Sequence, residues 1–447
     1  MMQCIKNGKL VLPKGVVESD LYIRDGKIFS IGGHWAGAEE YDARGCYVFP
    51  GFVDTGCVLG MDERRQRTAD DWASSTEAAL ADGCTTVVDT AVQKEGASLL
   101  EAVDSWGQRA ENRCSADYAI RVRVSDCSRS ALREVPRLPA MGVSSFAAVM
   151  SGEGRLEAEE LGRLLSAAAG TGFVTMDCQL ESEIARNVRT NLESGATDAL
   201  YHALSRPART EALAVKQALA LAREANVPAW IAPVSCAEAL EEIRAARRGG
   251  QYVLAETHPA YLTLTQDIHL NREERSLGCV CAPPLRTHSD REALWQALAA
   301  GEIQLVGSGH RGYSLKQKQT AKTFAEIPEG FPSIGLRASL LWSEGVARRR
   351  ITVEDMARVL SENPAKCLGL YPRKGVLKAG SDADIVIWDP AWQGEACPRG
   401  GSGWSPWMGQ PLMGRAKAVF LRGQPAASMG TVLRFGMGQY LKREKVF

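Results

Sequence analysis

The sequence has no surplus of charge, no long apolar run and few histidines. Its 447 residues include 53 Lys and Arg and 53 Asp and Glu. This balance disfavours binding to nucleic acid or to an anionic membrane, because such binders draw their affinity from positive charge. No apolar run reaches the roughly 18 residues that a membrane helix needs. These absences predict a soluble, cytoplasmic protein that binds neither nucleic acid nor membrane.

Cysteine and histidine are both present without the spacing of a common metal motif. The 12 cysteines are scattered and form no CxxC pair, so the sequence suggests neither a disulfide framework nor a zinc ribbon. No HxH or HExxH pair occurs among the six histidines, which are His34, His202, His258, His269, His288 and His310. Of these, His310 stands at a plausible strand end, after Leu305-Val306-Gly307.

The chain has β-rich ends and a middle in which short apolar strands alternate with helical stretches. Asp25-Gly26, between two β-rich runs, is a hairpin signal. The alternation over about 320 residues is typical of a (β/α)8 barrel. An open doubly wound sheet is the alternative, disfavoured because no GxGxxG follows the first strand. We predict a distorted (β/α)8 TIM barrel over 51–372 and a composite β-sandwich built from 1–50 and 373–447, since neither end alone is large enough to bury a core.

Several segments, in order along the whole chain, resemble the cyclic amidohydrolase superfamily, specifically its dihydropyrimidinase and D-hydantoinase branch. Dihydroorotases and allantoinases are relatives within that superfamily. The segments are Pro50–Thr55 (P-G-F-V-D-T), Glu256–Leu262 (E-T-H-P-A-Y-L), Val280–Arg286 (V-C-A-P-P-L-R), Gly369–Gly375 (G-L-Y-P-R-K-G), Gly380–Asp389 and Gly436–Arg443. The resemblance implies the same barrel with a β-sandwich, and a hydrolase of cyclic amides.

The resemblance also implies a pair of divalent metals, usually zinc, held by four His, a carbamylated Lys and an Asp. Every one of those positions holds another residue here. They fall on Gly56, Val58, Ala147, Cys178, Pro233 and Gly309, and an alignment shift of one residue would replace Cys178 by Asp177. Glycine, valine, alanine and proline offer no donor side chain, and losing even one supporting group weakens metal binding about 10–100-fold. We therefore predict that no metal cofactor is bound.

Three further positions at which the resemblance implies substrate contacts are also changed, to Gly152, Ala282 and Glu329. The predicted pocket comprises Asp54, Gly56, Cys57, Val58, Ala147, Gly152, Cys178, Pro233, Ala282, Gly309, His310 and Glu329. Asp54 is retained from the family's motif, and we assign it a structural role. His258 stands where the family often has cysteine, and we interpret it as a structural histidine.

These changes favour a pseudoenzyme that keeps the fold and serves a structural, scaffolding or regulatory role. Such a chain would act as a homo-oligomer (a dimer or tetramer) or beside an active paralogue. One alternative is an active cyclic-amide hydrolase, acting on hydantoin, dihydropyrimidine or allantoin rings. It would use a metal site rebuilt around Cys57, Cys178, Cys236, Cys281 and His310, or a Cys178 nucleophile with His310 as its base. Another is a sensor that binds a small molecule in the vacated pocket.

Overall fold

The N-terminal segment begins with an antiparallel meander of three strands, and its next two strands both pair parallel to the first. The computed structural model describes residues 2–63, 66–94, 96–270 and 274–444. The first strands are β1 (Met2–Leu12), β2 (Gly15–Arg24), β3 (Lys27–Ile31), β4 (Glu39–Asp42) and β5 (Tyr47–Pro50). The Asp25-Gly26 turn joins β2 to β3, and both of its residues have positive φ, as the predicted hairpin requires.

The middle of the chain forms a parallel sheet closed into a barrel. Its strands are β6 (Phe52–Val58), β9 (Cys84–Val92), β10 (Asp117–Arg123), β11 (Ser145–Val149), β12 (Phe173–Asp177), β13 (Ala229–Ile231), β14 (Val253–Thr257), β15 (Leu305–Val306) and β16 (His310–Arg311), while β7 (Asp62–Glu63) and β8 (Gln66–Arg67) form a separate pair. Strand β15 pairs with β14, and β16 pairs with β6. The segment 305–311 therefore completes the ring, which confirms the predicted barrel.

The C-terminal strands return to the first sheet. They are β17 (Ile385–Glu395), β18 (Pro411–Leu421), β19 (Gln424–Ser428) and β20 (Thr431–Val432). Strand β17 lies antiparallel to β5, with Val386 opposite Phe49, and β5 pairs with β1. Both ends of the chain thus share one sheet, as predicted, because strands from either end alone leave an edge and an apolar face uncovered. The boundaries at residues 50 and 372 stay a prediction.

Helices cover the outside of the barrel. Their bounds are α1 (Trp72–Ala81), α2 (Leu99–Ala110), α3 (Arg129–Glu134), α4 (Ala158–Ala168), α5 (Glu181–Glu193), α6 (Leu200–Leu204), α7 (Ala208–Glu224), α8 (Ala237–Arg248), α9 (Pro259–Thr263), α10 (Glu274–Gly278), α11 (His288–Ala299), α12 (Leu315–Lys318), α13 (Arg337–Leu341), α14 (Val353–Ala357) and α15 (Asn363–Cys367). Helix α2 shows why they pack this way. Its buried residues, Leu99, Val103, Trp106 and Ala110, recur every three or four positions and form one apolar stripe. Among the described residues, no helix has the length and apolar character to span a bilayer.

A buried lysine joins the barrel to the terminal sheet. The Lys374 Nζ donates to Asp117 on β10 at 2.7 Å and to Asp384 beside β17 at 2.6 Å, and lies 3.0 Å from Asp382. Lys374 is 2% exposed. Burial alone would raise the pKa of Asp382, but Lys374, Lys27 and Arg373 together outweigh it and lower that pKa to about 2. This cluster fixes one sheet against the other, since a buried ammonium needs its carboxylate partners.

Candidate active site

The C-terminal ends of the barrel strands surround a cavity of about 140 Å³. An outer cavity of about 360 Å³ adjoins it and shares the lining residues Arg123, Asp177, Arg311 and Glu329. Cavities at this face of a (β/α)8 barrel are where catalytic groups of such enzymes are built. A space of about 150 Å³ admits a six-membered ring such as benzene, so the inner cavity suits a small ring.

A guanidinium group lies at the base of the inner cavity. Arg121, near the end of β10, donates from Nη1 to the Thr175 hydroxyl at 3.1 Å and from Nη2 to the Thr55 carbonyl at 2.8 Å. Its Nε has no partner among the described residues. A Cβ at Gly56 would lie 3.2 Å from Nη2, so the guanidinium occupies space that a side chain at position 56 would need. The base of the cavity therefore carries a fixed positive charge.

Glu256, on β14, lies beside that guanidinium. Its Oε1 accepts from the Thr55 hydroxyl at 2.8 Å, and its Oε2 accepts from the Trp230 indole at 3.1 Å. Burial raises the pKa of Glu256 to about 7, while the charge of Arg121 acts in the opposite direction. Its two oxygens are both occupied, which makes Glu256 a support for the base of the cavity.

His258 occupies the space that the glycine at position 309 leaves. A Cβ at Gly309 would lie 2.2 Å from His258 Nδ1, closer than real Cβ contacts allow. The ring also stacks on Tyr261, with 5.9 Å between ring centroids. Burial lowers the pKa of His258 to about 4. The imidazole is therefore neutral near pH 7, so one of its ring nitrogens can act as an acceptor at the wall of the cavity.

Asp177, the last residue of β12, lines both cavities. Its Oδ1 is buried without a partner among the described residues, and so is the Oε1 of Gln179. Burial raises the pKa of Asp177 to about 7, although the guanidinium of Arg311 lowers it. Two buried acceptor oxygens thus lie at the wall of the outer cavity.

Most of the predicted pocket positions do lie around the two cavities. The inner cavity is lined by Gly56, Cys57, Val58, Ala147, Pro233, Ala282, Gly309, His310 and Glu329, and Gly152 lines the outer one. Asp54 lies elsewhere: it is fully buried and accepts from the Ser308 amide at 2.9 Å and the Gly56 amide at 3.3 Å. It holds two strand ends together instead of facing the cavity.

The structure corrects the predicted Cys178–His310 pair. Cys178 is absent from the described residues that line either cavity; its thiol is buried and donates to the Met176 carbonyl at 3.6 Å. Burial raises the pKa of Cys178 well above its usual value. Side chains alternate along a strand, and the cavity faces Asp177, so Cys178 points into the packed layer behind the strand. Of the two alignments that the sequence allowed, the one that puts Asp177 instead of Cys178 at the pocket position agrees with this geometry.

His310 has both ring nitrogens directed at other groups. Its Nδ1 accepts from the Ser333 amide at 3.1 Å, which places the ring proton on Nε2. That nitrogen lies 3.2 Å from Asp70 Oδ2, a close approach without good hydrogen-bond geometry. His310 therefore holds the loop after β16 and cannot serve a thiol as its base.

Where the structure describes them, the cysteines proposed for a rebuilt metal site do not converge. The thiols donate to backbone carbonyls: Cys57 to Val88, and Cys281 to Pro283. Burial raises the pKa of Cys281 to about 12, and it also raises the pKa of Cys57 well above its usual value. In the described part of the chain, no three His, Cys, Asp or Glu side chains come together as a metal site. These cysteines behave as small buried apolar residues.

Sequence reasoning missed the groups with the strongest cavity chemistry, Arg121, Arg123, Glu256, His258 and Arg311. One signal was available for the first two. Arg121 and Arg123 are two apart in a predicted barrel strand whose neighbouring residues are apolar, so both point to the same face. For His258 the sequence offers no such signal, because its place depends on the glycine 51 positions later in the chain.

Comparison with known proteins gives a consistent result. A family model described as the amidohydrolase family matches residues 47–423. A D-hydantoinase from Rhizobium radiobacter is 36% identical over 99% of this chain and 98% of its own length. A solved D-hydantoinase superposes with a TM-score of 0.97 at 35% identity over all of both chains. A dihydropyrimidinase from Brevibacillus agri NCHU1002 gives 0.97 at 31% identity, covering 100% of this chain and 99% of its own.

These relatives overturn two of the predictions. The pseudoenzyme reading is wrong, because whole-length relatives at this identity are named as hydantoin-opening enzymes. The prediction that no cofactor is used is wrong for the same reason, since the hydantoinases of this family are binuclear metal enzymes. Both predictions were based on the six substituted ligand positions, whereas the relatives are similar over the whole chain.

The residues present nevertheless do not fit the donor set that the resemblance implies. At the cavity wall stand Gly56, Val58, Ala147, Pro233 and Gly309, which offer no side-chain lone pair. The space beside Gly56 holds a guanidinium, and the space beside Gly309 holds an imidazole. The metal ligands that the resemblance implies are thus not matched by the side chains at the C-terminal ends of these barrel strands.

Proposed function

The chain belongs to the amidohydrolase family, and from that premise we propose that it hydrolyses a ring amide of a hydantoin-type cyclic amide. The observation that carries the proposal is the relatedness over the whole chain to hydantoinases, together with a ring-sized cavity at the catalytic face of the barrel. The ring carbonyl would lie against Arg121, with His258 at the wall.

The side chains of the cavity account for the movement of charge and protons. In the hydrolysis, the oxygen of water bonds to the ring carbonyl carbon, and the carbon–nitrogen bond breaks. The neutral imidazole of His258 accepts the proton of the water and returns it to the departing ring nitrogen. Arg121 donates a hydrogen bond to the carbonyl oxygen while it gains negative charge. The product is a carboxylic acid that carries an open-chain carbamoyl group, and the acid then releases its proton to solvent to become a carboxylate.

Ring opening of hydantoin and dihydrouracil by the purified chain tests the proposal. Product formation is followed by liquid chromatography and mass spectrometry, with and without added zinc or manganese, because the family implies a metal. Arg121→Met should reduce kcat about 100-fold or more, as for removal of one oxyanion donor. His258→Phe should reduce it about 100-fold or more, as for a lost general base.

Two surface variants serve as matched controls. Arg209 is a largely exposed arginine on α7 that pairs with Glu183, and His288 is an exposed histidine at the start of α11. Arg209→Met and His288→Phe should leave the rate unchanged. An absence of ring opening in every metal condition would overturn the proposal, as would equal rates for the cavity variants and the controls. Self-association stays a prediction, which light scattering on the eluting protein would test.

A further inference from the structure

The outer cavity contains hydrogen-bond acceptors that no described residue satisfies. Gln179 is 1% exposed and lines this cavity, and its Oε1 has no partner there; the same holds for Oδ1 of Asp177. A buried acceptor without a donor costs about 1–3 kcal/mol. Native proteins rarely leave such atoms unpaired unless a ligand or water pairs with them. The side chain of Gln179, just after β12, hydrogen-bonds the carboxyl group of Asp177 at the end of that strand, so the two side chains are in contact and a single bound group can reach both.

We propose that the outer cavity binds a ring substituent rich in N–H donors, such as a carboxamide, ureido or guanidino group. The inference rests on the proposed function, since the ring itself would occupy the inner cavity. Asp177 lines both cavities and therefore stands where a substituent on the ring would leave the inner cavity for the outer one. Donors on that substituent would satisfy the two free acceptor oxygens.

The two unsatisfied acceptor oxygens of the outer cavity discriminate against the other kinds of substituent. Its lining combines the carboxyl groups of Glu153, Asp177, Glu326 and Glu329 with the guanidinium groups of Arg123 and Arg311, and Glu329 is already paired with Arg206 at 2.8 Å, so charge alone does not select the substituent. A carboxylate substituent would bring a further acceptor and negative charge to an already acceptor-rich wall. A hydrocarbon substituent would leave both buried oxygens without donors, and sites built for hydrogen bonds strongly reject analogues that lack the donor.

Three hydantoins of similar size test this inference directly. The 5-carbamoylmethyl, 5-carboxymethyl and 5-isobutyl compounds differ in offering an amide, an acid or a hydrocarbon at the same distance from the ring. Binding to the full-length protein is measured by titration calorimetry, which needs no turnover. We expect the amide to bind about 10-fold or more tightly than either of the others. Equal binding, tighter binding of the isobutyl compound, or no binding of any of the three overturns the inference.

A variant separates the role of Gln179 from a general preference for polar compounds. Gln179→Met keeps the length of the side chain and removes its acceptor, so it should reduce the preference for the amide about 3–10-fold. Binding of unsubstituted hydantoin to each variant gives the reference from which the preference is calculated. Gln108→Met, the same change on the exposed face of α2, should keep the full preference. An unchanged preference in Gln179→Met overturns the assignment. If that variant fails to fold, the three ligands on the natural chain still decide.

The two proposals fail in different ways. Ring opening without the amide preference would leave the hydrolase in place and remove the subsite. An amide preference in binding without ring opening would leave the subsite and remove the hydrolase.

Discussion

Replacing Gly309 by alanine should displace His258 from the wall of the cavity. The added Cβ would lie 2.2 Å from Nδ1, 2.6 Å from Cε1 and 2.7 Å from Cγ of that ring. Comfortable contact between such atoms is about 3.5 Å, so the imidazole must move by about 1 Å. The ring packs on Tyr261 and has little room to move away from the cavity. The substitution therefore tests whether His258 occupies the position that we assign to it.

The expected loss of stability has two parts. Gly309 has φ +61°, a left-handed conformation that costs alanine about 1–2 kcal/mol. Overpacking against the imidazole adds about 1–3 kcal/mol. Gly301→Ala is the matched control, because Gly301 has φ +73° and no described atom lies within 4 Å of an added Cβ. Gly301→Ala should therefore lose only the roughly 1–2 kcal/mol that the left-handed backbone costs alanine.

Urea unfolding of the two variants gives the difference, and hydrolysis of hydantoin gives the effect on function. Gly309→Ala should be less stable than Gly301→Ala by about 1–3 kcal/mol and should lose most of its activity. Adding His258→Ala to Gly309→Ala should recover the overpacking part, which appears as a coupling energy of about 1–3 kcal/mol. Equal destabilisation by the two glycine variants, with activity retained, would refute the reasoning.

Three further predictions concern single side chains. Labelled His258 should titrate by NMR with a midpoint near pH 4, and kcat/KM should fall as pH decreases through that value, because the protonated ring cannot accept a proton; a midpoint near 6.5 would contradict its burial. Cys178→Ala should cost about 1–2 kcal/mol in urea unfolding and leave the rate unchanged, and a large loss of rate would restore the thiol as a nucleophile. Lys374→Met should destabilise the fold by about 3–5 kcal/mol, because three carboxylates lose their shared cation; a loss below 1 kcal/mol would show that this cluster is not needed.

The fold was predictable because its signals are local and repeated. Short apolar strands alternating with amphipathic helices define a parallel barrel, and helix α2 shows this periodicity in its buried residues. The return of the C-terminal strands to the first sheet followed from size, since each end alone exposes an apolar face. In the structure, β5 pairs with both β1 and β17 and so joins the strands of the two ends in one sheet. Hydrophobic periodicity and the need to bury an apolar face act on a whole strand or helix, so few folds satisfy them.

The site was less predictable because it depends on single residues. In the pairing of β11 with β12, Ala147 lies opposite Thr175 and Val149 lies opposite Asp177. These four positions line the cavity, whereas Cys178 lies one residue further and faces away. A shift of one residue exchanges the two faces of a strand, so an alignment without nearby landmarks could not decide between Asp177 and Cys178.

A second reason why the site is hard to predict is that a sequence shows each substitution without its neighbours in space. Gly56 and Gly309 read, in isolation, as lost side chains and vacated volume. In the fold, the guanidinium of Arg121 lies beside Gly56 and the imidazole of His258 lies beside Gly309. Small residues at one strand end therefore accommodate large polar ones from another, and the cavity has a guanidinium and a neutral imidazole in its wall. Each of these pairs joins different strands. The chemical consequence of a substitution therefore follows only when its neighbours in space are known, and the replaced ligand positions do not by themselves make the chain a pseudoenzyme.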